Sequence, residues 1–471
     1  MKAVRSHDIQ TFAQSIREHL NECAATGVIE GFVCTLNKRC VYAASLFNGL
    51  RHSKGPLQEN RPFQLEVSLV MPGGRGVGFT LESVSFKLFL HQLEFALSQS
   101  VKLQHRLSLK KQESYPSLPL ASEELLHLFE NDGAAAETSR ILDEVDVLAS
   151  QVKHPRLMNR EVSVSLASHL RMYFDSVGNH AEERSAACSA MVSYALEDSG
   201  ESHSDLFGKL PRPEELCALV EEAAKNITRT AIKPLGEHAS WPVLLTHKAV
   251  GDLFEQLVLP NLETRALLDK TGAWSFEDCG TELIPALTIE DNPHLQDSPF
   301  SAVFDFEGSP TQPVQIVTSG VLLHPLMTSA LLAEVESTYP ERQGQFHLTG
   351  HADSAVSTSH TNLFIRLEMP PLPDLSSASY VQIQNLTGMS VDPLTGQFAL
   401  DSDGAKVFVD GRLAYSTSLT LRGNFFEALK QSNSCAGPMV RHFNVWTPSL
   451  FTHALSCVSK ELAQTFEDDA K

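Results

Sequence analysis

The 471-residue sequence has no run of about 18 consecutive apolar residues, which excludes a membrane-spanning helix. The first residues, Met1-Lys2-Ala3-Val4-Arg5-Ser6-His7-Asp8, lead straight into a polar helical pattern without the apolar core of a signal peptide, so a cytoplasmic protein is expected. Positive charge is scarce. Lys and Arg total 37 against 57 Asp and Glu, and the net charge of −20 repels phosphate backbones and anionic lipid surfaces, so neither nucleic acid nor membrane is an expected partner. The eight cysteines, Cys23, Cys34, Cys40, Cys188, Cys217, Cys279, Cys435 and Cys457, include no CxxC pair, which argues against a disulfide framework and a zinc ribbon and leaves buried thiols as the expectation. Tandem repeats and low-complexity segments are also missing.

What is present is ordinary globular material, 42% hydrophobic and 20% charged, in a chain long enough for two domains. Ile9, Phe12, Ile16 and Leu20 recur at helical spacing, and the segment from Gly31 to Ala44 changes to a β-rich mixture. Residues 63–71 alternate apolar and polar, and Pro72-Gly73-Gly74 turns the chain into Gly76–Leu81, a β-hairpin. From Val84 to Leu97 strand and helix periods overlap. Residues 110–120 read as a loop, 121–130, 138–152 and 212–227 as helices, and the Ser-, Glu- and Asp-rich span 195–212 as an exposed stretch. Beyond residue 232 short β-type runs separated by turn residues take over, as in Pro313–Leu323 and Gly404–Thr420. The expected fold is therefore α+β in two domains, an N-terminal α/β layer over 1–232 and a β-rich domain over 233–471.

Three segments of the second half carry a family likeness. The first runs from Leu287-Thr288-Ile289-Glu290-Asp291-Asn292-Pro293 through Phe304-Asp305-Phe306-Glu307-Gly308-Ser309-Pro310-Thr311 to Gly320-Val321-Leu322. The second is Asp392-Pro393-Leu394-Thr395-Gly396-Gln397-Phe398, followed by Asp410-Gly411 and Leu421-Arg422-Gly423-Asn424, and the third is Trp446-Thr447-Pro448-Ser449-Leu450. In this order they resemble the TldD/PmbA family of metallopeptidase-related proteins. As residues they are strand-and-turn grammar, with Asp-Gly and Thr-Gly turns between β-formers, so they speak to architecture rather than chemistry. The likeness is weak over Gly76–Val101 and fades over 110–230.

The resemblance implies where chemistry should lie. Active TldD-type members carry a His-Glu-x-x-x-His helix in which two imidazoles ligate zinc and the Glu deprotonates bound water. Here the corresponding stretch reads His247-Lys248-Ala249-Val250-Gly251-Asp252. Lys248 puts a cation where the base should be, and an ordinary Lys, with a pKa near ~10.4, accepts no proton from water at neutral pH. Asp252 is an oxygen donor where the family has an imidazole, and Cys435 lies in about the region of the family's ligand-bearing Cys, which leaves His247, Asp252 and Cys435 as a residual ligand set. The same stretch aligns equally with the PmbA (TldE) side of the family, which has no metal motif at this helix, and this alignment is favoured. No catalytic residue, cofactor or metal is expected in this chain alone, and zinc only through a partner subunit.

Other groupings are weaker. His347, His351 and His360 fit no zinc spacing and read as surface or loop histidines, and the glycines of Gly73–Gly78 lack the Lys-Ser/Thr of a phosphate loop. The resemblance implies a non-catalytic peptide-handling subunit that shapes a chamber for an active TldD-like partner, as a heterodimer, with a peptide or unfolded segment as ligand. A stand-alone peptide-binding scaffold, as homodimer or monomer, and a metallopeptidase with a rebuilt site are the alternatives.

Overall fold

The computed structural model describes residues 6–51, 56–72, 75–82, 85–98, 112, 114–116, 123–154, 157–196, 199–226, 233–235, 241–296, 298–354 and 356–459. Among these residues the chain builds two sheets, one from strands within 31–208 and the other from strands within 243–459. The expected domain boundary at residue 232 lies outside the described residues.

The first sheet is antiparallel and seven-stranded, in the order Arg75–Leu81, Leu57–Met71, Gly31–Phe47, Leu157–Asp175, His180–Leu196 and Ser199–Gly208, with Leu50–Arg51 folding back on Gly31–Phe47. Its strands are long, up to 19 residues, and the period-2 rule assigns each side chain a face. Even-numbered residues of the two central strands face the helices. At one end Phe32, Cys34, Leu36, Leu170, Met172 and Phe174 pack under helices Ser6–Ala25 and Phe86–Ser98. At the other, Leu46, Val162, Val164 and Leu166 pack under Glu123–Glu130, Ala134–Ser150 and Pro213–Asn226. Helix Ser6–Ala25 docks by Ile9, Phe12, Ala13, Ile16 and Leu20, the 3.6-residue stripe legible in the sequence.

Two expectations change. The ambiguous stretch after Val84 is the helix Phe86–Ser98, because Phe89, Leu93 and Ala96 line up on one buried face. The span expected to be exposed, 195–212, contributes the edge strand Ser199–Gly208, with Ser204 buried; pairing with His180–Leu196 satisfies its backbone whatever its polarity. The cysteines are all free, but only Cys34, Cys188 and Cys279 are fully buried.

The second sheet has twelve strands and mixed pairing. Strand Val243–Leu245 sits inside it, parallel to Tyr380–Ile383 on one side and antiparallel to Val445–Thr452 on the other. The three family-like segments fall on strands Leu287–Asp291, the hairpin whose register joins Asp392 to Gln397, and Val445–Thr452. Gly411 and Gly350 are required by space: their φ angles are +71°, and an added Cβ would lie 1.7 Å from Ser376 O and 2.3 Å from Pro310 O respectively.

The odd-numbered face of the first sheet receives the second half. Phe304 packs on Val33, Tyr173 and Ala181, Phe207 stacks on Phe300 at 5.1 Å between centroids, and Val303 N donates to Glu183 Oε2 at 2.7 Å. No described helix is long and apolar enough to cross a membrane.

Candidate functional site

Strand Val243–Leu245 ends at Thr246, whose extended backbone starts the helix His247–Leu253. Ala249, Val250 and Leu253 bury that helix against the core, and Thr447 Oγ1 donates to His247 O at 2.7 Å, tying it to strand Val445–Thr452. The helix then widens into a π-turn over Phe254–Val258, where the amide of Leu259 bonds Phe254 O. Pro260 is the physical reason, since proline has no N–H for the carbonyl four residues back and its ring crowds that oxygen.

The widened turn lies after the degenerate motif rather than within it. His247 and Asp252 therefore project about 140° apart on a regular α-helix. Lys248 leaves the helix in another direction altogether. Its Nζ is 2.8 Å from Oδ1 of Asp205, on the edge strand of the other half, and the two side chains are 14% and 16% exposed. His442 Nδ1 stands 3.6 Å from the other Asp205 oxygen. Lys248 is thus the counter-ion of a carboxylate on the first sheet.

Burial, with the Lys248 charge beside it, lowers the pKa of His247. Burial, reinforced by Glu255 and opposed by Lys248, pushes Asp252 up to about 6. Cys435 begins strand Cys435–His442, half-buried, its Sγ contacting Asn433 O at 3.9 Å. Among the described residues no three His, Cys, Asp or Glu side chains converge on a metal-sized point.

The histidines separate into three environments. His347 is exposed and pairs with His324, Nδ1 to Nε2 at 3.0 Å. His360 borders a cleft. His351 corrects the surface reading: it is buried, with Nε2 2.8 Å from Asp291 Oδ1 and Nδ1 2.8 Å from Thr349 O. The ring thus bridges a backbone carbonyl and a buried carboxyl group, both within hydrogen-bond distance. Asp291 also accepts from Thr361 N at 2.7 Å and from Thr361 Oγ1. Of the Gly73–Gly78 loop, Gly73 and Gly74 lie outside the described residues, and Arg75–Leu81 pairs in an antiparallel hairpin with Leu57–Met71.

A cleft of about 500 Å³ opens where the two halves meet. Its floor is the odd-numbered face of the first sheet, with Asn37, Arg39, His169 and Arg171; loops around Phe304, Asp305, Asp353 and His360 form the opposite wall. Arg171 lies over the Phe304 ring at 4.7 Å and 3.6 Å from Glu183. His169 is pressed down to about 4 by burial and by the Arg171 and Arg39 charges, so it is neutral at physiological pH. On the far wall burial pushes Asp305 up to about 6 although its oxygens accept from Glu307 N, Ser309 N and Ala352 N. The sequence reading passed over this floor. The signal was the placement of polar residues opposite the apolar positions of Gly31–Phe47, but nothing in that strand says its polar face is roofed by another layer.

Residues 238–459 match the family model described as the PmbA/TldA metallopeptidase C-terminal domain. The C-terminal half belongs to the PmbA/TldD family. Metalloprotease PmbA of Escherichia coli O157:H7 is 26% identical over 204 residues, which is 43% of this chain and 42% of that protein's length. The PmbA/TldD likeness of fold extends further. TldE from Thermococcus kodakarensis superposes with a TM-score of 0.75 at 15% identity, covering 94% of this chain and all of its own. A Thermotoga maritima protein proposed as a modulator of a DNA gyrase gives 0.77 at 17% identity with the same coverage. The mixed α+β architecture is therefore the PmbA/TldD one.

Proposed function

We propose that this chain is a peptide-handling subunit of a TldD/PmbA-like metallopeptidase assembly, in which an active TldD-like partner supplies the zinc and the hydrolysis. The observation that carries the reading is the 2.8 Å Lys248–Asp205 ion pair. An ammonium committed to a carboxylate across the domain interface neither takes a proton from water nor tolerates a divalent cation beside it. The donor set around it does not fit a zinc ion either, since His247 and Asp252 diverge and Cys435 faces its own loop. The chain's contribution is the cleft between the halves, which would shape and hold an extended peptide for the partner.

The curated relative is described as a metalloprotease. Hydrolysis by this chain alone is accordingly the competing reading, and a stand-alone peptide-binding scaffold is the third. The deciding experiment measures zinc per chain and cleavage of an unstructured peptide for this chain alone, for a TldD-like protein alone and for the mixture. Metal-free chain that cleaves nothing by itself and changes the partner's rate or product pattern is expected. Stoichiometric zinc with chelator-sensitive cleavage by this chain alone would overturn the proposal, and peptide binding with no effect on a partner would favour the scaffold.

A further inference from the structure

We infer that the interdomain cleft is a carboxylate subsite, in which Arg39 and Arg171 hold a carboxylate group of an extended peptide; this rests on the peptide-handling reading above. Arg39 stands directly opposite His169 in the strand register, and Arg171 is the diagonal neighbour two residues along. Such diagonal pairs have Cβ atoms roughly 7–8 Å apart or a little less, a separation at which two guanidinium forks can converge on one small anion. Their charges are unequally compensated. Arg171 has Glu183 at 3.6 Å and the Phe304 ring beneath it, whereas Arg39 is exposed to the cleft and has no ion-pair partner among the described residues.

In a chain of net charge −20, the cleft floor taken by itself sets two arginines against one partnered carboxylate, so its positive charge is concentrated there, at Arg39. His169 between them is neutral, because burial first and then the two guanidinium charges disfavour its cation. The opposite wall limits what the anion can be. Asp305 and Asp353 already have acceptor oxygens occupied by their own loops, through three backbone N–H groups and the Ser357 hydroxyl. Facing the arginines, those two carboxylates repel a phosphate or polyanion more strongly than a single carboxylate carried on a neutral backbone. At about 500 Å³ the cleft lies within the roughly 300–1,000 Å³ of ordinary ligand sites.

A carboxylate in an extended peptide comes from its C-terminus or from a Glu or Asp side chain, and fluorescence anisotropy on the full chain separates the two. Three N-terminally labelled, unstructured octapeptides serve as probes: one without Asp or Glu and with a free C-terminus, the same peptide amidated, and the amidated peptide with one internal Glu. The free acid should bind at least about tenfold tighter than the neutral amide, as loss of a charge-assisted hydrogen bond predicts. Arg39→Gln should remove that difference between acid and amide, and Arg39→Lys should keep part of it. Arg171→Gln is the second variant, and unfolding midpoints of all variants report whether they fold. If the internal Glu restores tight, Arg39-dependent binding, the site takes side-chain carboxylates; if not, it reads the terminus. Acid and amide peptides binding equally, or losing affinity equally in Arg39→Gln, would overturn the subsite and leave peptide handling intact. Failure of every peptide to bind, with or without a TldD-like partner, would overturn both.

Discussion

Replacing Lys248 by Met removes the cation that neutralises Asp205 at the junction of the two halves. A fully exposed pair would contribute at most about 1 kcal/mol, and losing one partner of a fully buried pair costs about 3–5 kcal/mol. With both side chains about one-sixth exposed, this pair lies between the limits. His442, 3.6 Å from Asp205, can take over part of the compensation and lowers the figure to roughly 2 kcal/mol. Asp205→Asn should cost a similar amount, and the double variant less than the sum, with a coupling of roughly 1–2 kcal/mol. Lys248→Glu should be the most destabilising because it faces Asp205 with a like charge. Urea unfolding followed by tryptophan fluorescence suits the cycle, since Trp241, Trp274 and Trp446 all lie in the second half. A coupling within about 0.3 kcal/mol of zero would refute the assignment of Lys248 as a structural counter-ion.

Folding raises the Asp252 carboxyl from its ordinary range to about 6, so the folded state binds the proton more tightly than the unfolded one. Stability from this group is therefore present at low pH and lost as pH rises from about 4 through about 6. Asp252→Asn should be more stable than the parent at pH 7.5 by of the order of 1–2 kcal/mol, after discounting for partial exposure, with the gap closing towards pH 4; denaturation curves that differ by a constant amount across that range would contradict it. Among the described residues, His351→Leu leaves the buried Asp291 with the two Thr361 donors and should cost about 3–5 kcal/mol, read as a fall in the unfolding midpoint. A loss below about 1 kcal/mol would show that the His351–Asp291 contact does not hold this part of the fold together.

The sequence disclosed what depends on local chemistry. The stripe from Ile9 to Leu20 announces its helix because every buried residue belongs to one face, and the turn at Thr395-Gly396 announces its hairpin because of the positive φ it requires, +74° at Gly396. Lys248 was legible as an altered motif position, but not its partner: Asp205 is 43 residues away on a strand whose Ser- and Glu-rich composition suggested solvent. His351 was misread for the same reason. A histidine in a Gly- and Ser-containing loop looks exposed until Asp291, 60 residues earlier, is seen to meet it. The cleft was the least legible feature, since Arg171 alternates with Leu170 and Met172, and Arg39 sits in the polar run Asn37-Lys38-Arg39, as solvent-facing strand residues do, and only the stacking of one half on the other makes their face an interior.

The position of strand Val243–Leu245 also constrains how the molecule is made. Its neighbours on the two sides are residues 381–383 and 450–452, so a strand that leaves the ribosome early acquires its second flanking partner only about 200 residues later. At roughly 5–20 residues per second, that is on the order of 10–40 s during which the first half can already be folded while the centre of the second sheet has bare edges. The helix bearing His247 and Lys248 follows that strand directly, so it cannot take its native place against residues 445–452 until the chain has been synthesised past residue 452.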